Sequence, residues 1–160
     1  DISLRRKTEN TMRRLAYRDV LTDLPNRASL QIALHSALAD WENQGIPFAV
    51  VVIDLDGFKP INDTYGHDAG DQVLQAIGAR LQHTDRLSDL ASRLGGDEFA
   101  IVLRGCAAHA ATGVAQRALD RMALPIWLKK QNLHVKVGAS AGVAHITDSE
   151  ATTEALLKKC

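Results

Sequence analysis

The chain has 160 residues, of which 46% are hydrophobic and 24% charged, and its 19 basic residues balance 19 acidic ones. That length suits one domain with a substantial core, and the lack of a basic excess argues against a nucleic-acid-binding surface. Cys106 and Cys160 lie far apart without metal-ligand spacing, which points to a reducing compartment and not to a disulfide framework.

Residues 4 to 18 are charged and helix-favouring, with Leu4, Thr11 and Leu15 near heptad spacing. Residues 1–18 therefore read as a lead-in helix, either a solvated linker or a coiled-coil stalk. Pro25 and Asn26 mark a turn, with Asn26 as N-cap of a helix whose apolar face is Leu30, Leu34, Leu38 and Trp41 and whose end lies near Gly45. Phe48 to Leu55 reads as a buried central strand. The longest apolar run, Phe48 to Ile53, is too short to cross a bilayer, so this segment itself is expected to make no membrane contact. A second helix is expected from about Gly70, with Val73, Leu74, Ile77 and Leu81 as its stripe. Two short apolar runs follow, Leu90 to Leu94 and Phe99 to Leu103, joined by Gly95-Gly96-Asp97-Glu98. They predict a tight hairpin presenting two acids at its tip. A third helix is expected over Ala107 to Met122, then strand-like stretches at 133–137 and 141–144, and the last ten residues begin a further helix.

The first strand ends in Asp54-Leu55-Asp56, and side-chain alternation points both acids the same way. If that strand neighbours the hairpin, three or four carboxylates converge, a hard oxygen set suited to Mg²⁺ or Mn²⁺ with substrate phosphates. An isolated acid would be a solvated turn residue; two acid pairs at strand ends favour function. Between them, Lys59 can neutralise phosphate charge. Asn62 and Asp71 have the chemistry to read a purine edge, although spacing alone favours turn and helix-cap duty for both. His67, one of six scattered histidines, reads as a hydrogen-bonding loop residue.

Four segments in order carry a family resemblance: residues 19–27 (DVLTDLPNR), 53–63 (IDLDGFKPIND), 66–71 (GHDAGD) and 93–100 (RLGGDEFA). Together, from Asp19 through Ile146, they resemble the GGDEF domain of bacterial diguanylate cyclases, which places a domain at 19–160. The resemblance implies an α+β fold, with a central, mostly antiparallel sheet of about five strands flanked by helices, similar to nucleotidyl-cyclase and polymerase palm domains. It implies an enzyme that condenses two GTP into cyclic di-GMP and pyrophosphate, with Mg²⁺ (or Mn²⁺) as cofactor. Asp54 and Asp97 would be metal carboxylates and the Leu55 carbonyl a further ligand. Phe58 and Lys59 would line the phosphate end, Asn62 and Asp71 would contact guanine, and His67 is grouped with these substrate-binding positions. Gly95 and Gly96 would let the hairpin backbone lie against the nucleotide, and Asp97 or Glu98 would assist deprotonation of the 3′-hydroxyl.

Turnover would need a homodimer with two GTP-loaded domains facing each other. Arg86 and Asp89, an RxxD pattern at the family's offset before Gly95, would bind cyclic di-GMP as inhibitor; the plain alternative is a surface ion pair at a helix end. A catalytically silent GGDEF module that binds GTP or cyclic di-GMP and regulates an attached domain is the rival, disfavoured because the acids and glycines are intact. A cytoplasmic location follows from the resemblance, as a free protein or as the cytoplasmic part of a membrane-bound sensor. Two departures from the family are visible. The final helix stops at Cys160, where the family continues with a lysine and an arginine for the GTP phosphates. Gly138 and Ala141 replace a usual threonine and isoleucine, expected as packing variation away from the metal site.

Overall fold

The computed structural model describes residues 2–82 and 89–146. It contains α1 (Ile2–Tyr17), α2 (Arg27–Gln44), β1 (Phe48–Asp56), α3 (Phe58–Tyr65), α4 (His67–Gln82), β2 (Leu90–Gly95), β3 (Glu98–Arg104), α5 (Ala108–Met122), β4 (Ile126–Leu128), β5 (Leu133–Val135) and β6 (Gly138–His145).

Four strands form an antiparallel sheet in the order β2-β3-β1-β6, and β4 and β5 pair separately as a small hairpin. The α+β class with an antiparallel sheet is thus as expected. β1 is central because its side chains are apolar on both faces, so both can be covered. Ala49, Val51, Ile53 and Leu55 pack with Phe99, Ile101 and Leu103 against α4 and α5, through Val73, Ile77, Leu81, Ala111, Ala118 and Met122. On the other face Phe48 and Val50 join Ala100 and Val102 under Leu30, Leu34 and Ala37 of α2. Each such buried Val, Leu, Ile or Phe contributes about 1.5–3 kcal/mol, so the sheet is a stiff platform for whatever its strand ends carry.

Asn26 caps α2 as its composition predicts: its side chain accepts from the Ser29 N–H at 3.1 Å. Gly45, at φ +66°, closes the helix by donating to the Trp41 carbonyl. One element is not visible as a periodic run, and another starts earlier than its apolar stripe indicates. α3 occupies the stretch between Asp56 and Gly66, and α4 begins at His67, ahead of the expected start near Gly70. Gly57 (φ +79°) and Gly66 (φ +93°) supply the two bends that let strand, short helix and long helix follow without a loop. α1 contributes no buried residue, and Ile2, Leu4, Met12 and Leu15 on it are exposed. Among the described residues, no helix is long and apolar enough to cross a membrane.

Candidate functional site

The two acid-bearing strand ends are neighbours. β1 pairs with β3 so that Asp54 stands opposite Glu98, and the Leu55 N–H donates to the Asp97 carbonyl at 3.1 Å. Gly95 pairs with Glu98 across the hairpin, which leaves Gly96 and Asp97 as the turn itself. Gly95 has φ +142° and Gly96 φ +50°, and a Cβ built on either would meet nothing within 4 Å. The glycines are therefore there for backbone conformation, and the surface beside them is open to a ligand.

The electrostatics of this corner run one way. Partial burial, then the charge and hydrogen-bonding proximity of Asp97, then the charges of Glu98 and Asp56, push the Asp54 carboxyl above its usual range. Asp56, two residues along the strand, accepts a hydrogen bond from the Ser140 hydroxyl at 2.8 Å. Gly138 lies opposite Asp56 and its built Cβ would sit 3.5 Å from the Asp56 Cβ. That places Gly138 beside the acidic corner, not away from it; Ala141 pairs further back with Ile53.

This donor set fits a hard divalent cation. Among the described residues no three His, Cys, Asp or Glu groups gather into a cage of their own. Mg²⁺ is commonly held by one or two carboxylates together with substrate phosphates, so a facing carboxylate pair with unrelieved repulsion is the arrangement such an ion would complete.

The remaining predicted residues line the two helices that leave this corner. Phe58, half-buried, and Lys59, exposed, open α3 directly after β1 and Gly57. Asn62 lies in the middle of α3, with its side chain packed on Gly70 of α4. A Cβ at position 70 would fall 1.8 Å from the Asn62 Oδ1, so only glycine allows the amide its place. Asp71 follows on α4, exposed. Neither Asn62 nor Asp71 is a turn or cap residue; both sit within helices. His67 is the exposed first residue of α4, a helix position in place of the expected loop, and makes no side-chain hydrogen bond among the described residues. Arg86 lies outside the described residues, while Asp89 is buried just ahead of β2.

One part of the site is absent from the sequence reading. Arg93 on β2 joins its Nη1 to both Asp19 carboxylate oxygens at 3.0 Å. Its Nε and Nη2 donate to the Gly96 carbonyl at 3.1 and 2.8 Å. Asp19 also accepts from the Thr22 N–H at 2.9 Å and the Thr22 hydroxyl at 2.8 Å. Burial pushes the Asp19 carboxyl up, but the Thr22 and Arg93 hydrogen bonds and the Arg93 charge outweigh it and hold it below its usual range. The loop behind α1 is thereby tied to the hairpin turn that carries Asp97. The available signal was a lone charge inside an otherwise uncharged strand, and an Asp three residues before a Thr.

The profile described as "Diguanylate cyclase, GGDEF domain" matches residues 16–160. The diguanylate cyclase TpbB of Pseudomonas aeruginosa is 42% identical over 143 residues, covering 89% of this chain and 33% of TpbB. The cyclic di-GMP phosphodiesterase NbdA of the same organism is 36% identical over 148 residues, 92% of this chain and 19% of NbdA. The chain thus spans a third or less of either relative. Among solved structures, the coiled coil and GGDEF domain of DgcB from Caulobacter crescentus, in complex with c-di-GMP, superposes with a TM-score of 0.89 at 26% identity, covering 98% of this chain and 83% of that one. With an antiparallel sheet bringing Asp54 against the Gly95–Glu98 hairpin and a profile match over nearly its whole length, this chain belongs to the GGDEF family.

Proposed function

We propose that the chain is a diguanylate cyclase domain that joins two GTP molecules into cyclic di-GMP and releases pyrophosphate. The observation that carries this reading is the approach of the Asp54 and Asp97 carboxylates beside an open glycine turn, with every signature acid and glycine present. Asp54, Asp97 and the Leu55 carbonyl would hold Mg²⁺ or Mn²⁺, which when bound would neutralise phosphate charge and polarise the reacting oxygens. The chain's own residues then do the positioning. Asn62 and Asp71 hold guanine, the first turn of α3 with Phe58 and Lys59 faces the phosphates, and His67 stands at the rim of this pocket.

In the reaction the 3′-oxygen of one GTP bonds to the α-phosphorus of the other. The bond to the bridging oxygen breaks, pyrophosphate leaves, and Asp97 or Glu98 takes the hydroxyl proton. A second attack of the same kind closes the ring. One domain holds one GTP, so turnover needs two copies face to face. Residues 1–18 would act as the stalk that brings them together, ahead of a catalytic domain at 19–160; the exposed Leu4 and Leu15 on α1 support that role. Product returning to Arg86 and Asp89 would inhibit. The setting is cytoplasmic, where GTP is available.

The test is to incubate the protein with GTP and Mg²⁺ and look for cyclic di-GMP and pyrophosphate by mass spectrometry, with Asp97→Ala as the blank. Product from the wild type alone supports the cyclase. A second reading, a silent module that binds nucleotide and regulates an attached domain, has one observation in its favour: NbdA, a relative by sequence, is named for the opposing activity. Tight GTP binding without product, even when two copies are forced together, would favour it.

A further inference from the structure

The β4–β5 hairpin carries none of the residues placed in the site above, yet its turn is fastened to the helix that presents Asp71. Gln72 makes the connection. Its Oε1 accepts the Lys129 N–H at 2.8 Å, and its Nε2 donates to the Gln131 Oε1 at 3.0 Å and to the Asp68 carbonyl at 3.4 Å. The Lys129 N–H can only donate, which fixes the orientation of the amide. The turn that meets it is held shut by the Asn132 N–H on the Leu128 carbonyl at 2.8 Å, and buried Ile126 and Leu128 root the hairpin in the core. Lys130 adds an ion pair to Asp68 at 3.3 Å, exposed on both sides and so worth little.

Asp71 itself is exposed and makes no side-chain hydrogen bond among the described residues, so the first turns of α4 alone decide where its carboxylate stands. Those turns are gripped from two sides. Gly70 receives the Asn62 amide from α3, and Gln72 is gripped by the hairpin. The two positions lie about 200° apart around the helix, with Asp71 midway between them.

We propose that Gln72 is a positioning residue for nucleobase selection: through the β4–β5 turn it sets where Asp71 meets the N1–H and 2-amino group of guanine. The inference rests on the cyclase reading for the identity of the base. Gln72→Met keeps side-chain length and helix propensity while removing all three hydrogen bonds.

The full chain should be titrated with GTP and with inosine triphosphate, which lacks the 2-amino group, and steady-state kinetics measured with each. Gln72→Met should weaken GTP binding and raise its KM about three- to ten-fold, the size expected from losing one or two net hydrogen bonds, with kcat near wild type. Binding of inosine triphosphate should change less, so the preference for GTP narrows. Gln131→Ala, which removes one bond and leaves α4 untouched, should shift the preference in the same direction by less. A purely structural role would weaken both nucleotides alike and leave their ratio fixed; an unchanged ratio in both variants overturns the inference. A wild type that binds no GTP overturns the cyclase reading and this inference with it, whereas a wild type that binds GTP with variants of unchanged ratio overturns this inference alone.

Discussion

Asp19 and Asp54 are joined to the two strands of one hairpin, Asp19 through Arg93 of β2 and Asp54 by pairing with β3, and their surroundings push them in opposite directions. Asp19, in an anchor with Arg93, accepts hydrogen bonds from Thr22 and Arg93 and is held below the usual carboxylate range despite its burial. Asp54, at the tip, faces Asp97, Glu98 and Asp56 and is raised. The anchor is a stability device in which each charge has a partner. The tip concentrates like charge with no cation on the chain among its perturbing neighbours, and its turn uses backbone conformations that favour glycine. Arg93 links the two, since the same guanidinium that binds Asp19 also holds the Gly96 carbonyl. A turn that must keep two acids close needs that external fastening, because its own electrostatics push it open.

The sharpest way to break this contrast is at the tip. Asp97→Ala should cut cyclic di-GMP formation on the order of 10³-fold, the scale of losing a group that acts on charge in the transition state. Its thermal unfolding midpoint should stay level or rise, because a repelling acid has gone. A large loss of stability together with activity would place Asp97 among the residues that hold the fold.

The opposite outcome is expected at the Asp19–Arg93 anchor. The Arg93 and Asp19 side chains are only 13% and 19% exposed, so truncating one strands the other. Arg93→Ala should cost about 3 kcal/mol, a fall of roughly 6–12 °C in midpoint for a chain of this size. Activity should fall below that of the wild type even at temperatures where the variant remains folded, because the Gly96 carbonyl loses both of its donors. Asp19→Ala in the same background should add little, since the partner is already missing. Full additivity would mean the two residues act separately and would dissolve the anchor as a unit.

The legible part of this molecule was the part written as periodicity or as local chemistry. β1 and the apolar faces of α2 and α4 follow from hydrophobic spacing, and the hairpin from two glycines between apolar runs. The approach of Asp54 to Asp97 needed only the assumption that two strands were neighbours. α3 was not legible: eight residues with a proline and one buried side chain, Ile61, give no helical stripe to count. β4, at three residues, is too short for alternation to register, whereas β5 falls inside the strand-like stretch read at 133–137. Contacts between distant residues were also silent. Nothing local in Gly70 says that Asn62 needs its missing side chain, and nothing in Gln72 says that residues near 130 will reach it. Those are properties of the packed fold.

The smallest expected effect is the most discriminating, because it reads the tip without turnover. Asp54 carries a folded-state pKa above its unfolded one, so at neutral pH its ionised form costs stability. That cost is relieved as pH falls through the raised value, where the folded state takes up a proton that the unfolded state does not yet bind. Asp54→Asn should therefore raise the midpoint at pH 7 by no more than about 2 °C, given how exposed the group is. The gain should shrink on acidification and vanish below about pH 4, where both states of the wild type are protonated. Asp19 works in the other sense: its contribution is present above the unfolded carboxylate value and lost as pH falls through the depressed folded one, so its loss adds to acid unfolding. Mg²⁺ added with GTP should invert the ranking at pH 7, raising the wild-type midpoint above that of the Asn variant, because a cation turns the repulsion between Asp54 and Asp97 into two favourable contacts. A variant that gains nothing at pH 7 and responds to Mg²⁺ with GTP as the wild type does would mean that the crowding of acids at the tip is neither a cost to the fold nor a seat for the metal.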